Sequence, residues 1–182
     1  MRIIHHPIRA LPLILLGLAL FALPGSAQAA TTLYRSVGTT ATNLNTASRT
    51  VAISGSTATF SAAMPDNVGV GDALVYSDGT NRLAFIHGRT SSTVFTVQDK
   101  VGAAPAAVSA GTAVTVFRAY TALANWQTQT ENANITEPTE NDVNPSLNLV
   151  TADTVMMVAC YGDGVDTTGV TIDGRTTDGK FA

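Results

Sequence analysis

Thr50-Val51-Ala52-Ile53-Ser54-Gly55-Ser56-Thr57-Ala58-Thr59-Phe60-Ser61-Ala62 is the stretch that decides the fold class. Val51 and Ile53 alternate with Thr50, Ala52 and Ser54, and beyond Gly55-Ser56 the residues Ala58, Phe60 and Ala62 alternate with Thr57, Thr59 and Ser61. A period of two marks a strand with one buried face. Gly55-Ser56 between the runs suits a two-residue hairpin turn, so the stretch predicts two antiparallel strands.

The same pattern continues toward the C-terminus. Gly71-Asp72 opens a strand from Ala73 to Tyr76, Ser77-Asp78-Gly79-Thr80 turns it, and a return strand from Arg82 to His87 ends at Gly88. Asp78-Gly79 is a strong turn signal. Thr93 to Gln98 follows with Phe95 and Val97 on one face, and after an Ala, Gly and Pro-rich connection Ala113 to Phe117 adds another strand. Short strands joined by tight turns predict an all-β unit over 30–119, a small β-sandwich or barrel of about six or seven strands. Composition agrees: the chain has 27 Thr in 182 residues, and β-branched side chains lose rotamer freedom in helices but fit a pleated surface.

Past this unit the period changes. Tyr120, Leu123 and Trp126 recur every third residue, with Thr121 placed to cap, which predicts a short amphipathic helix over 120–129. Residues 130–147 are rich in Thr, Asn, Glu and Pro and are expected to form a polar linker that buries no surface of its own. In 148–182 an apolar strand is expected from Thr154 to Tyr161, with Val155, Met157, Ala159 and Tyr161 on one face. A shorter strand is expected at Val170-Thr171-Ile172-Asp173-Gly174. Two such strands without further neighbours imply an exposed, unpaired apolar edge.

At the other end, Arg2 and Arg9 precede an apolar stretch from Leu11 to Leu23, followed by Pro24-Gly25-Ser26-Ala27-Gln28-Ala29. That order is expected of a signal peptide, 1–29, cut after Ala29. Thirteen apolar residues fall short of the ~20 a membrane-spanning helix needs, and no later segment is expected to span. The mature protein is thus expected to be secreted, at the cell surface or in the periplasm. Cleavage leaves eight basic against thirteen acidic residues, a net charge of −5. With Lys only at Lys100 and Lys180 and the arginines scattered, no basic cluster exists to displace counterions from a nucleic acid. Cys160 is the only cysteine, so no intrachain disulfide forms; beside Val158 and Ala159 it is expected to be a small buried hydrophobe. It lies far from the cleavage point, where a lipid-bearing cysteine would have to stand.

Four pieces of the last third, Tyr120-x-x-Leu123-x-x-Trp126, Asn148-Leu149-Val150, Val158-Ala159-Cys160-Tyr161 and Val170-Thr171-Ile172-Asp173-Gly174, resemble bacterial secreted surface proteins built on a right-handed parallel β-helix. The resemblance implies that the short helix caps the open end of a solenoid and that 148–182 holds its first strands, an incomplete, truncated β-helix. Ser36 to Ala119 is similar to the small β-modules that precede such solenoids, with Gly69-Val70-Gly71-Asp72 and Gly88-Arg89-Thr90-Ser91-Ser92 as turns. One departure is Arg175, which stands where an aromatic commonly follows Ile-Asp-Gly.

No constellation for chemistry emerges. His87, the one histidine of the mature chain, shares a strand face with Leu83 and Phe85 and reads as structural, because no serine sits in a Gly-x-Ser-x-Gly elbow to partner it. Asp163, Asp166, Asp173 and Asp178 lie in a Gly-rich tail with spacing that fits no calcium loop. Trp126 and Tyr120 read as packing residues before sugar-stacking ones, and Asn134-Ile135-Thr136 as an unmodified loop. No catalytic, cofactor or metal residue is therefore expected. The expected function is non-catalytic: the N-terminal structural or display segment of a secreted bacterial cell-surface protein, meeting a surface polysaccharide or matrix protein. The alternative is a carbohydrate-binding or carbohydrate-active β-helix enzyme fragment lacking its catalytic rungs.

Overall fold

A computed structural model describes residues 29–136 and 143–174; residues 1–28 of the expected signal peptide, Arg175, Asp178 and Lys180 lie outside the described residues. In chain order the elements are β1 (Thr31–Val37), β2 (Thr50–Ser54), β3 (Thr57–Phe60), β4 (Ala73–Ser77), β5 (Asn81–Arg89), β6 (Val94–Gln98), β7 (Val108–Phe117), α1 (Leu123–Gln127) and β8 (Thr154–Cys160). Of the two all-β architectures expected, the barrel is present. Six antiparallel strands close in the order β2-β3-β6-β5-β4-β7, with β7 returning to β2.

The hairpin that announces the fold pairs Ser54 with Thr57 and Val51 with Phe60. Gly55 at its tip takes φ 54°, the left-handed region that glycine enters without a Cβ penalty. Val51, Ile53, Ala58 and Phe60 all point into the barrel and are buried. Closure is helped by register shifts between Val51 and Ile53 against β7 and between Ile86 and Gly88 against β6. Such irregularities bend a strand and increase its twist.

The wall made by β4, β5 and β7 is apolar on both faces. Leu74, Tyr76, Ala84, Ile86, Val114 and Val116 fill the barrel interior, while Ala73, Val75, Phe85 and Phe117 face outward into a second core. That outer face is covered by β1 and β8, which pair with each other in parallel from Thr31 opposite Thr154 to Val37 opposite Cys160. Leu33, Val37 and Met156 supply the contact, with Tyr120, Trp126 and Leu149 around them.

Several expectations need correction in this outer layer. β1 was not singled out by the period, although it is seven residues long. The helix is confined to Leu123–Gln127, and Thr121 does not cap it: Ala122 is the N-cap, and Thr121 Oγ1 accepts a bond from Asn125 Nδ2. Tyr120, before the helix, forms a parallel bridge with Val37. The segment 130–147 is not wholly solvated, because Ile135 and Val143 are buried in the second core. On β8 the buried parity is Thr154 and Met156, not Val155 and Met157. Cys160 shares that inward parity but is exposed, standing at the strand end beyond the half-buried Val158. Val170–Gly174 has no strand structure, and Ile172 is exposed. Finally, β8 is not bare along both edges: one edge is paired with β1, and among the described residues no strand pairs with the other.

Candidate functional site

The β1–β8 pair is fastened to the barrel by arginines, and this seam is the most elaborately built part of the molecule. Arg118 directly follows β7 and is fully buried. Its Nη1 donates to both oxygens of Asp72 at 2.8 and 2.9 Å, its Nε to Asp163 Oδ2 at 2.9 Å, and its Nη2 to the Asn67 carbonyl at 3.0 Å. The Tyr161 ring lies 3.5 Å from the guanidinium carbon, a cation–π stack that favours a desolvated arginine. Tyr161 Oη in turn donates to the Val70 carbonyl at 2.9 Å. The 67–72 turn and the residues after β8 are thus drawn onto one cation at the end of β7.

One guanidinium between two carboxylates cannot neutralise both. Asp72 is the deeper, and burial raises its carboxyl to about 6 against the lowering pull of Arg118. Asp163 is also opposed by burial, yet the Arg118 hydrogen bond and the Thr39 backbone N–H hold it below its ordinary value. Burial likewise works against the Arg118 charge, and the two aspartates outweigh it, raising its pKa.

Arg35 on β1 repeats the device on the other side of the seam. It is fully buried, stacks 3.5 Å above the Phe85 ring centroid, and donates from Nε to the Val143 carbonyl at 2.6 Å and from Nη1 to the Tyr34 carbonyl at 2.8 Å. Between the two arginines Gly71 is required. It has φ 86°, its carbonyl accepts from Ser36 N at 2.9 Å, and a Cβ there would overlap the backbone of Arg35 and Ser36. Tyr120 N donates to the Ser36 carbonyl and Gly38 N to the Tyr120 carbonyl. The C-terminal end of the far edge of β1 is therefore closed by Gly71 and Tyr120, whereas no strand among the described residues pairs with the far edge of β8.

The residues singled out in the sequence do not converge. His87 lies half-buried on β5 with its ring centroid 5.9 Å from that of Tyr34, and burial lowers its pKa. Asp163 is in the Arg118 cluster, Asp166 accepts from Leu123 N at 3.0 Å, and Asp173 accepts from Gln127 Nε2. Asp178 lies outside the described residues. Among the described residues no three His, Cys, Asp or Glu side chains gather as a metal site. Tyr120 and Trp126 are core residues, as expected. Asn134 Nδ2 donates to the Ala41 carbonyl, and Ile135 is buried. No helix among the described residues is long and apolar enough to cross a membrane.

Sequence reasoning passed over Arg35, Arg118 and Asp72. The available signal was a lone charge inside an apolar run, as in Val116-Phe117-Arg118-Ala119-Tyr120, within a chain only 13% charged; such a charge is buried only when paired. No protein-family model, no curated protein and no solved structure matches the chain.

Proposed function

We propose that the chain is a non-catalytic structural and display segment of a secreted bacterial cell-surface protein, serving adhesion or matrix contact. In this reading β1 and β8 are the opening strands of a right-handed parallel β-helix, and the barrel is an insertion carried between them. The observation that carries the reading is the parallel, seven-residue pairing of β1 with β8. Stacked rungs of a parallel β-helix place strand on strand in this sense, at about 4.8 Å spacing. The asymmetry of the edges supports it: Gly71 and Tyr120 close the C-terminal end of the β1 edge, whereas no described strand pairs with the far edge of β8. Trp126, buried beside β1 and β8 in the same core, suits the capping role that the resemblance implies for the short helix.

The expected result for purified mature protein is a β-dominated circular dichroism spectrum and no release of reducing ends from neutral or acidic polysaccharides. Sustained hydrolysis that disappears in His87→Ala would overturn the reading in favour of an enzyme.

A further inference from the structure

A second place on the molecule has an unmet chemical requirement, and it lies on the barrel, away from the β1–β8 seam. Arg49, just before β2, lines a cleft of about 330 Å³ with Asn43, Ser48, Tyr76, Ser77 and Asn81. Its Nε and Nη1 are closed off from solvent and meet no acceptor among the described residues. A guanidinium is charged at any physiological pH and presents five donors in one plane. Leaving part of that fork desolvated and unpaired is costly. Arg118 and Arg35 show how this chain satisfies a buried arginine with carboxylates, carbonyls and an aromatic face; among the described residues the cleft lining offers Arg49 no carboxylate.

The position of Arg49 is built and not incidental. Asn45 is buried, its Oδ1 accepts from Arg49 N at 3.0 Å, and its Nδ2 donates to the Arg49 carbonyl at 2.8 Å and to the Val114 carbonyl at 2.9 Å. Asn43 Oδ1 accepts from Val116 N at 2.9 Å. The loop is thereby tied to β7 at two points, and Ser48 is held at φ 51°, a conformation that a non-glycine residue keeps only when its surroundings impose it.

We propose that this cleft binds the carboxylate of an acidic saccharide. Arg49 supplies the planar fork that matches a carboxylate in bidentate fashion, and its long unbranched stem lets the fork turn toward an entering anion. Ser48, Ser77 and Asn81 add uncharged hydroxyl and amide groups suited to sugar hydroxyls, while the Asn43 amide holds the loop in place. Arg49 is the only charged residue among the described residues of the lining, so a carboxylate is the group it selects, with the sugar hydroxyls adding to the affinity. The site stands whether or not β1 and β8 open a β-helix.

The test is a titration of isotope-labelled protein with D-glucuronate, D-glucose and acetate, followed by backbone and arginine Nε NMR shifts. Glucuronate is expected to give saturable shifts centred on Arg49, Asn43 and Asn81, glucose none, and acetate binding at least tenfold weaker. Arg49→Gln is expected to lower the glucuronate affinity at least tenfold, with Arg49→Lys in between; both are accepted only with an unchanged circular dichroism spectrum. If neither variant folds, the shift of Arg49 Nε in the unaltered protein decides alone. Absence of saturable shifts, equal binding of glucose, or binding that survives in folded Arg49→Gln overturns the site. Equal binding of acetate overturns the saccharide assignment.

Discussion

Arg118 concentrates the energetics of the seam into a few atoms, and its two aspartates must answer to pH in opposite directions. Asp72 has its carboxyl raised to about 6 by burial, so the native state holds that proton more tightly than the unfolded chain. Its contribution to stability is full below the ordinary carboxylate range and is lost as pH rises through 6, by an amount of about 3 kcal/mol at most. Asp163 is lowered, so its contribution is full above the ordinary range and is lost as pH falls below it. The thermal midpoint is therefore expected to rise from pH 7.5 to about 5 and to fall again below about 4. Asp72→Asn should flatten the rise, and Asp163→Asn should lessen the fall, the remainder of which belongs to Asp78 and Asp166, whose carboxyls are also lowered. Parallel profiles for all three proteins would contradict this assignment of charges.

At the scale of the element, β8 is set by which of its two parities meets the barrel wall. Met156 is fully buried against the outer core, whereas Met157 on the opposite parity is half-exposed beside Tyr34. Met156→Ala is expected to cost about 2–5 kcal/mol through the cavity it leaves, and Met157→Ala about 0.5 kcal/mol, both read from urea midpoints. Reversed losses, with Met157→Ala the costlier, would place the strand one residue out of register, since a one-residue slip exchanges the faces. This is also where legibility in the sequence ended. The β2–β3 hairpin could be read because Thr and Ser alternate with Val, Ile and Phe, so only one face can be buried. In Val155-Met156-Met157-Val158 both parities are apolar, and only the position of the barrel decides between them. β1 was hidden for a related reason: Arg35 interrupts its apolar pattern, and what makes that arginine tolerable is Phe85 and the Val143 carbonyl, the latter 108 positions away. The Arg118–Asp72 pair spans 46 positions, beyond any spacing rule. The Arg49 cleft depends on three separate strands and a loop, so the unpaired state of that arginine appears only once they are assembled.

For the molecule as a whole, two cores share one wall but unequally. The barrel interior takes no residue from β1 or β8, while the outer core is built from those strands, α1 and the outward side chains of β4, β5 and β7. The barrel is therefore sufficient for its own closure, and the outer layer depends on the barrel for a surface to pack against. Joining β1 to β8 also requires the two most distant described strands to meet, a pairing that carries a large loop-closure cost unless the barrel between them has already formed. Removing everything from Thr154 onward should then leave the barrel standing with its outer wall uncovered. The expected outcome is retained β dichroism, slow amide exchange at Val51 and Phe95, fast exchange at Leu33 and Val37, and new binding of the dye ANS to exposed Phe85 and Phe117. Complete unfolding of the shortened chain would mean that the inner core needs the outer one. Unchanged exchange at Leu33 with no dye binding would mean that β1 holds its place without β8, and that the parallel pair is not what covers the wall.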